Sequence, residues 1–193
     1  LGKSIGNSLE VIEAIETLRN NGPADFTELC IELAANMLLL AEKGTLEECR
    51  AMAQQTLLDG SALQKFREMC AAQGGNPAVC DDYSLFPQAS IRRELYASES
   101  GFIASMATQS CGTAAMLLGA GRATKEDSID HSAGILLHVK PGDFVEKGQL
   151  LAELFTNDEN SLPAAEKLLR ESIHFSAEQP QIQPLIYERV EFE

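Results

Sequence analysis

The apolar pattern changes character near residue 90, where strands join what had been helices alone, and this change limits the fold more than any other feature. Up to residue 75 the apolar residues recur at helical spacing, as on helices with one buried face. Residues 8–20 place Leu9, Ile12, Ile15 and Leu18 on such a face, and Asn20-Asn21-Gly22-Pro23 ends that helix. Asp25 then reads as an N-cap, with Glu28 completing a capping box. The helix that follows carries Phe26, Leu29, Leu33, Met37 and Leu40 on one stripe and runs to about Glu42. Thr45 and Glu48 repeat the capping signature for a third helix bearing Leu46, Cys49, Met52 and Ala53. A fourth helix spans 61–72, before Gly74-Gly75. Pro77, Asp81-Asp82 and Pro87 mark a connector.

Beyond it the pattern predicts strands over 91–97 and 101–106, turning at Glu99-Ser100-Gly101. A helix over 108–118, a polar loop over 119–127 and a strand over 133–139 follow. After the turn Lys140-Pro141-Gly142-Asp143 come a strand over 150–155, a helix over 162–173, and a last short strand opening at Pro184-Leu185-Ile186-Tyr187. Helices first and strands afterwards give an α+β chain, with a domain boundary near residue 88.

Charge narrows the partners. The 193 residues carry a net charge of −14, with 6 basic and 13 acidic residues up to 88 and 9 and 16 beyond it. No basic cluster is available for a nucleic-acid backbone, so no nucleic-acid partner is expected. No apolar run approaches the ~20 residues of a membrane span. At 45% apolar residues the chain has the material for a packed core, which excludes disorder as its dominant state. Cys30, Cys49, Cys70, Cys80 and Cys111 form no short-spaced pair and read as free thiols in a reducing compartment. His131, His138 and His174 are scattered, with no partner at an interpretable spacing. The chain opens on Leu1 without a basic stretch leading into an apolar one, so no signal peptide is read, and a segment of something longer is expected.

Residues 134–151 carry a strand, the turn Lys140-Pro141-Gly142-Asp143-Phe144-Val145, Gly148 and a second strand. The pattern resembles the half-repeat of biotinyl and lipoyl carrier domains. Gly142 and Gly148 suit tight turns, and Val139, Val145 and Leu150 suit an interior between two sheets. No acceptor lysine stands at the matching hairpin, so the segment reads as scaffold and a non-catalytic carrier module is the lesser alternative. Gly119-Ala120-Gly121-Arg122 follows a helix instead of opening one, which argues against a phosphate loop. The stretch from Leu1 to Glu13 turns on glycines into a helix start and offers oxygen donors for a cation.

These segments, taken in order, resemble the pyrimidine-nucleoside phosphorylases and the similar thymidine phosphorylases. The residues that carry the resemblance are Leu1-Gly2, Ile5-Gly6-Asn7-Ser8-Leu9-Glu10-Val11, Glu13-Ala14-Ile15, Gly22-Pro23, Glu28-Leu29 and Ala72-Gln73-Gly74-Gly75, then Glu99-Ser100-Gly101, the run from Leu118 to Asp127, Ile129-Asp130, Val139 to Leu150, and Pro184 to Tyr187. The series covers nearly the whole chain. It implies a cytoplasmic homodimer that cleaves uridine or thymidine with inorganic phosphate, releasing the base and a pentose 1-phosphate. For the fold it implies that residues 1–88 are the closing helices of a phosphate-binding α/β domain, and that 89–193 form a C-terminal barrel-sandwich domain of α/β-hammerhead type. The family's phosphate-binding and base-binding segments match no stretch here, so no catalytic or substrate-binding residue carries over. One site does. The family's potassium-like cation maps onto the main chain of Leu1 and Ser4 and the carboxylate of Glu13, an incomplete set. Ser4 departs from the usual alanine, which a backbone ligand tolerates. The loop from Gly119 to Asp127, with Arg122, is expected to order when the domains close. A thymidine phosphorylase restricted to deoxyribonucleosides remains the alternative within the family.

Overall fold

A computed structural model describes residues 1–190. It contains two compact units. The chain passes from the first into the second between Tyr83 and Ser84, but residues 3–11 belong to the second unit and residues 183–190 to the first.

The first unit is helical. It holds α2 (Ala24–Leu40), α3 (Leu46–Leu58), α4 (Ser61–Ala72) and the larger part of α1 (Asn7–Leu18). The capping box of α3 forms as the sequence indicates: Thr45 accepts from the Glu48 amide, and Glu48 accepts from the Thr45 amide. The start of α2 differs. Pro23 is its N-cap and makes no side-chain cap bond, while Asp25 lies in the first turn and accepts from the Gly2 amide at 3.2 Å. Proline at a helix entrance has no N–H to satisfy and a φ already suited to the turn, so Asp25 is released for another task. Much of this unit is held by polar clamps. Arg50 of α3 grips Glu32 of α2 bidentately at 2.6 and 2.8 Å. Arg67 of α4 and Arg19 meet at Asp81, and Tyr83 donates to Glu16. Its buried apolar residues are few and mostly small: Ile15, Ala35, Cys49, Ala53 and Cys80.

The second unit holds the main core. A four-stranded antiparallel sheet runs in the order β1 (Ser4–Gly6), β4 (Gly134–Leu137), β6 (Leu150–Thr156), β2 (Ile91–Tyr96). A three-stranded sheet runs β5 (Phe144–Val145), β3 (Gly101–Met106), β7 (Ile173–Ser176). Ile135, Leu154, Ala152 and Leu95 of the first sheet, Ile103, Val145 and Ile173 of the second, and Cys111, Leu118, Ala165 and Leu169 of the helices α5 (Thr108–Ala115) and α6 (Leu162–Ser172) and the turn after α5 form one buried cluster. Gly142 and Gly148 adopt φ of 97° and 85°, the conformations their turns demand.

The chain is thus mixed helix and sheet, and the two sheets do not close into a barrel among the described residues. β1 is a strand where the sequence suggested only a turn: Ser4, Ile5 and Gly6 pair with Leu136, Ile135 and Gly134. The last expected strand does not form. Pro184 to Tyr187 carries no ladder, and proline at its head removes a donor that pairing would use. No helix among the described residues is long and apolar enough to cross a membrane. All five cysteines are free.

Candidate functional site

Leu1 and Glu13 fall in the helical unit, and Ser4 falls in β1 of the sheet-bearing unit, opposite Leu136. Gly2 links Leu1 to Glu13. It sits at φ 65°, and a Cβ added there would lie 2.2 Å from Glu13 Oε1. The Glu13 carboxylate therefore packs against the Gly2 backbone, where only a glycine fits. Asp25 reaches the same dipeptide from α2 through the Gly2 amide. Two carboxylates thus converge on Leu1-Gly2. Sequence reading selected Glu13 and missed Asp25, because an Asp two residues after a proline reads first as a helix cap. The donor set consists of oxygens alone, as a hard monovalent or divalent cation prefers, and it is too small to complete a coordination sphere. No cluster of three His, Cys, Asp or Glu side chains fit to hold a metal occurs among the described residues.

Arg122 lies on a loop whose ends are fixed and whose tip is not buried. α5 runs into a π-type turn over Met116–Ala120, ended by Gly119 at φ 108°. Such turns widen a helix end and often accompany functional sites. The Leu118 carbonyl accepts from buried Thr156 Oγ1 at 2.7 Å, and the Ala120 carbonyl from Asn7 Nδ2 at 2.9 Å. At the far end, Asp130 accepts from Ser132 N, Ser132 Oγ and Asn157 Nδ2, and the His131 carbonyl accepts from the Ser8 amide. Burial raises the Asp130 pKa, but these bonds outweigh it and hold the carboxyl below the ordinary range. Between the anchors, residues 122–128 are exposed. Asp127 organises them, accepting from the Thr124 amide, Thr124 Oγ1 and the Ala123 amide. Those bonds, with a smaller contribution from the Arg122 charge, lower its pKa. The tip is a preformed turn presenting a guanidinium on a rigid base.

A second polar cluster lies on the four-stranded sheet. Glu153 of β6 accepts from Arg92 of β2 and contacts His138 Nε2 at 2.8 Å. The sequence hid this pair, because the two residues lie fifteen positions apart and meet only through the β4–β6 ladder. Burial opposes the Glu153 charge, yet the Arg92 and His138 contacts prevail and its pKa falls below the ordinary carboxylate range. A carboxylate with a depressed folded-state pKa adds stability above its unfolded pKa and loses it as pH falls through the folded value. Glu153→Gln is therefore expected to flatten the loss of thermal stability between about pH 5 and pH 3, and to cost about 1–2 kcal/mol at pH 7. Thermal melts of both proteins at several pH values check this; parallel curves would show that Glu153 is not the titrating group.

Residues 102–176 match the profile described as "Pyrimidine nucleoside phosphorylase C-terminal domain". The chain is 48% identical over 191 residues to a pyrimidine-nucleoside phosphorylase of Geobacillus stearothermophilus, a match that takes in 98% of this chain and 44% of that protein. It is also 48% identical over 161 residues to the pyrimidine-nucleoside phosphorylase of Bacillus subtilis (strain 168), covering 83% and 37%. To that of Staphylococcus haemolyticus (strain JCSC1435) it is 44% identical over 179 residues, covering 92% and 41%. The chain thus spans less than half the length of these curated relatives.

Proposed function

Because the chain belongs to the pyrimidine-nucleoside phosphorylase family, we propose that it serves as part of a pentosyltransferase. That enzyme cleaves uridine, thymidine and deoxyuridine with inorganic phosphate, giving the free base and ribose or deoxyribose 1-phosphate. The observation that supports this reading is 48% identity sustained over 98% of the chain. Residues 1–88 contribute closing helices to the phosphate-binding α/β domain, and 89–193 act as its C-terminal barrel-sandwich domain. The whole enzyme is a cytoplasmic homodimer. The phosphate and the base are held by polypeptide outside this chain, so the chain alone is inactive.

In the proposed reaction phosphate displaces the base at the anomeric carbon through an oxocarbenium-like state, and domain closure aligns the two substrates and excludes water. Arg122 acts as a positioning residue, carried on a tip that Asp127 has already shaped. The carbonyl oxygens of Leu1 and Ser4 and the Glu13 carboxylate would hold a potassium-like cation, its remaining ligands coming from outside the chain. A cation placed so would stiffen the entry to α1.

The test joins this chain to the part of the Geobacillus relative that its match leaves out. The joined protein is expected to release uracil from uridine and thymine from thymidine only when phosphate is present. Activity with deoxyribonucleosides alone would select the thymidine-specific alternative. A folded joined protein that releases no base would refute the reading. In the same assay, replacing potassium with a bulky organic cation is expected to lower turnover, and Glu13→Gln to remove that dependence. Arg122→Ala is expected to lower kcat/KM about tenfold; unchanged kcat and KM would remove Arg122 from the closure step.

A further inference from the structure

The turn Asn20-Asn21-Gly22-Pro23 after α1 is the one place in the chain where an asparagine precedes a glycine. Every other asparagine is followed by a residue that carries a side chain. The fold leaves no choice of residue at position 22. The Asn20 amide donates to the Thr17 carbonyl at 2.9 Å and the Asn21 amide to the Glu16 carbonyl at 2.8 Å, which closes the helix end. Gly22 then lies against Thr17, which is buried and fixed by its own hydroxyl donating to the Glu13 carbonyl at 2.8 Å. A Cβ on residue 22 would fall 2.1 Å from Thr17 Oγ1 and 2.7 Å from Thr17 Cα. The second of these atoms is backbone and cannot turn aside, so only glycine fits.

Asn21 is exposed, and its side chain has a definite partner: Nδ2 donates to Glu16 Oε2 at 2.7 Å. Glu16 also accepts from Tyr83 Oη. The two donors hold the Glu16 carboxyl below its ordinary range, Tyr83 more strongly than Asn21. A glycine nitrogen has no Cβ beside it to block close approach, so it can reach the carboxamide carbon of the residue before it.

We propose that Asn21-Gly22 is a site of spontaneous covalent modification, which converts Asn21 to an acid and loosens the helical unit. The Gly22 nitrogen bonds to Asn21 Cγ, the Cγ–Nδ2 bond breaks, and the side-chain nitrogen leaves as ammonia with the proton that Gly22 gives up. The product is a five-membered cyclic imide. Water then opens it at Cγ to leave aspartate, or at the main-chain carbonyl of residue 21 to leave isoaspartate. The net change consumes one water and releases one ammonia, so solvent is the only co-reactant. The new carboxylate stands where an amide donated to Glu16, and an attraction becomes a like-charge contact. Isoaspartate also lengthens the main chain at the turn that closes α1. Because Thr17 admits nothing larger at position 22, the weak pair is built into the fold.

The test keeps the full chain in warm, mildly alkaline buffer and follows the tryptic peptide from Asn20 to Lys43 by fragmentation mass spectrometry. The expected result is a time-dependent gain of amide-to-acid mass at Asn21, with Asn20 and Asn36 of the same peptide unchanged. Asn21→Gln, whose longer side chain must close a larger ring, is expected to stay unconverted. Asn21→Asp reproduces one product and is expected to lower Tm by about 2–4 °C, from a lost donor and an added repulsion. Conversion only in denatured chain would overturn the proposal, since the fold would then protect the pair. Equal conversion of Asn20 or Asn36 would overturn it as well. An Asn21→Asp protein as stable as its parent would refute the loosening of the helical unit.

Discussion

Gly134→Val is expected to destabilise the sheet-bearing unit by about 3 kcal/mol, and to lower Tm by roughly 10 °C or more. The reason lies in the pairing of β1 with β4. Gly6 and Gly134 stand opposite each other in register. A Cβ at Gly134 would lie 2.5 Å from the Ile5 carbonyl oxygen and 2.9 Å from Leu9 Cδ1. A Cβ at Gly6, which sits at φ 140°, would lie 2.6 Å from the Ala133 carbonyl oxygen. These neighbours are mostly backbone and cannot yield as a flexible side chain would. Only glycines let the strands approach, and any other residue forces β1 off the sheet. Losing β1 also removes the ladder that places Ser4 beside Leu136. Gly112→Ala provides the contrast. Gly112 is helical, and a Cβ there meets nothing within 4 Å. It is expected to leave stability unchanged or raise it by up to about 1 kcal/mol, since alanine favours the helix. Denaturation curves of the three proteins decide this. A Gly134→Val protein as stable as its parent would mean that β1 does not pair as described.

The glycine pair shows where sequence reading stops. Gly142 and Gly148 were legible because each occupies a turn flanked by its own strands, so the requirement for positive φ is local. Gly6 and Gly134 meet across more than 120 residues, and three residues of β1 are too few to show a period of two. The helices were legible for the opposite reason. Thr45 and Glu48 form their cap within one turn, and α4 occupies the span that Ser61 and Gly74-Gly75 delimit. Asp25 was misplaced because Pro23 took the capping position. The stripe of α2 was visible as a stripe, but periodicity reports that a face is apolar and not what covers it. Glu153 and His138 required the strand register before they could be recognised as partners. The Arg122 loop was visible as polar and glycine-rich, yet its rigid base depends on Thr156, Asn7 and Asn157, none of them adjacent in sequence.

The largest functional effect is expected from restoring the polypeptide that the chain does not include. The chain holds a pinned loop with an exposed arginine and a Glu13 carboxylate packed on Gly2, and in the proposed reading the phosphate and base are held by polypeptide outside it. Bringing two substrates into one closed site supplies several orders of magnitude in rate, and a half-site supplies none of that advantage. Purified chain and joined protein, each incubated with uridine and phosphate, should therefore differ by at least about a thousandfold in uracil release. Omitting phosphate should abolish release by the joined protein. Chromatographic quantification of uracil and ribose 1-phosphate from the two proteins side by side is the most direct measurement. Equimolar products from the joined protein, and none from the chain alone, are the expected result. Equal release by both would place the active site within these 193 residues, and release by neither, from folded proteins, would contradict the phosphorylase assignment of this chain.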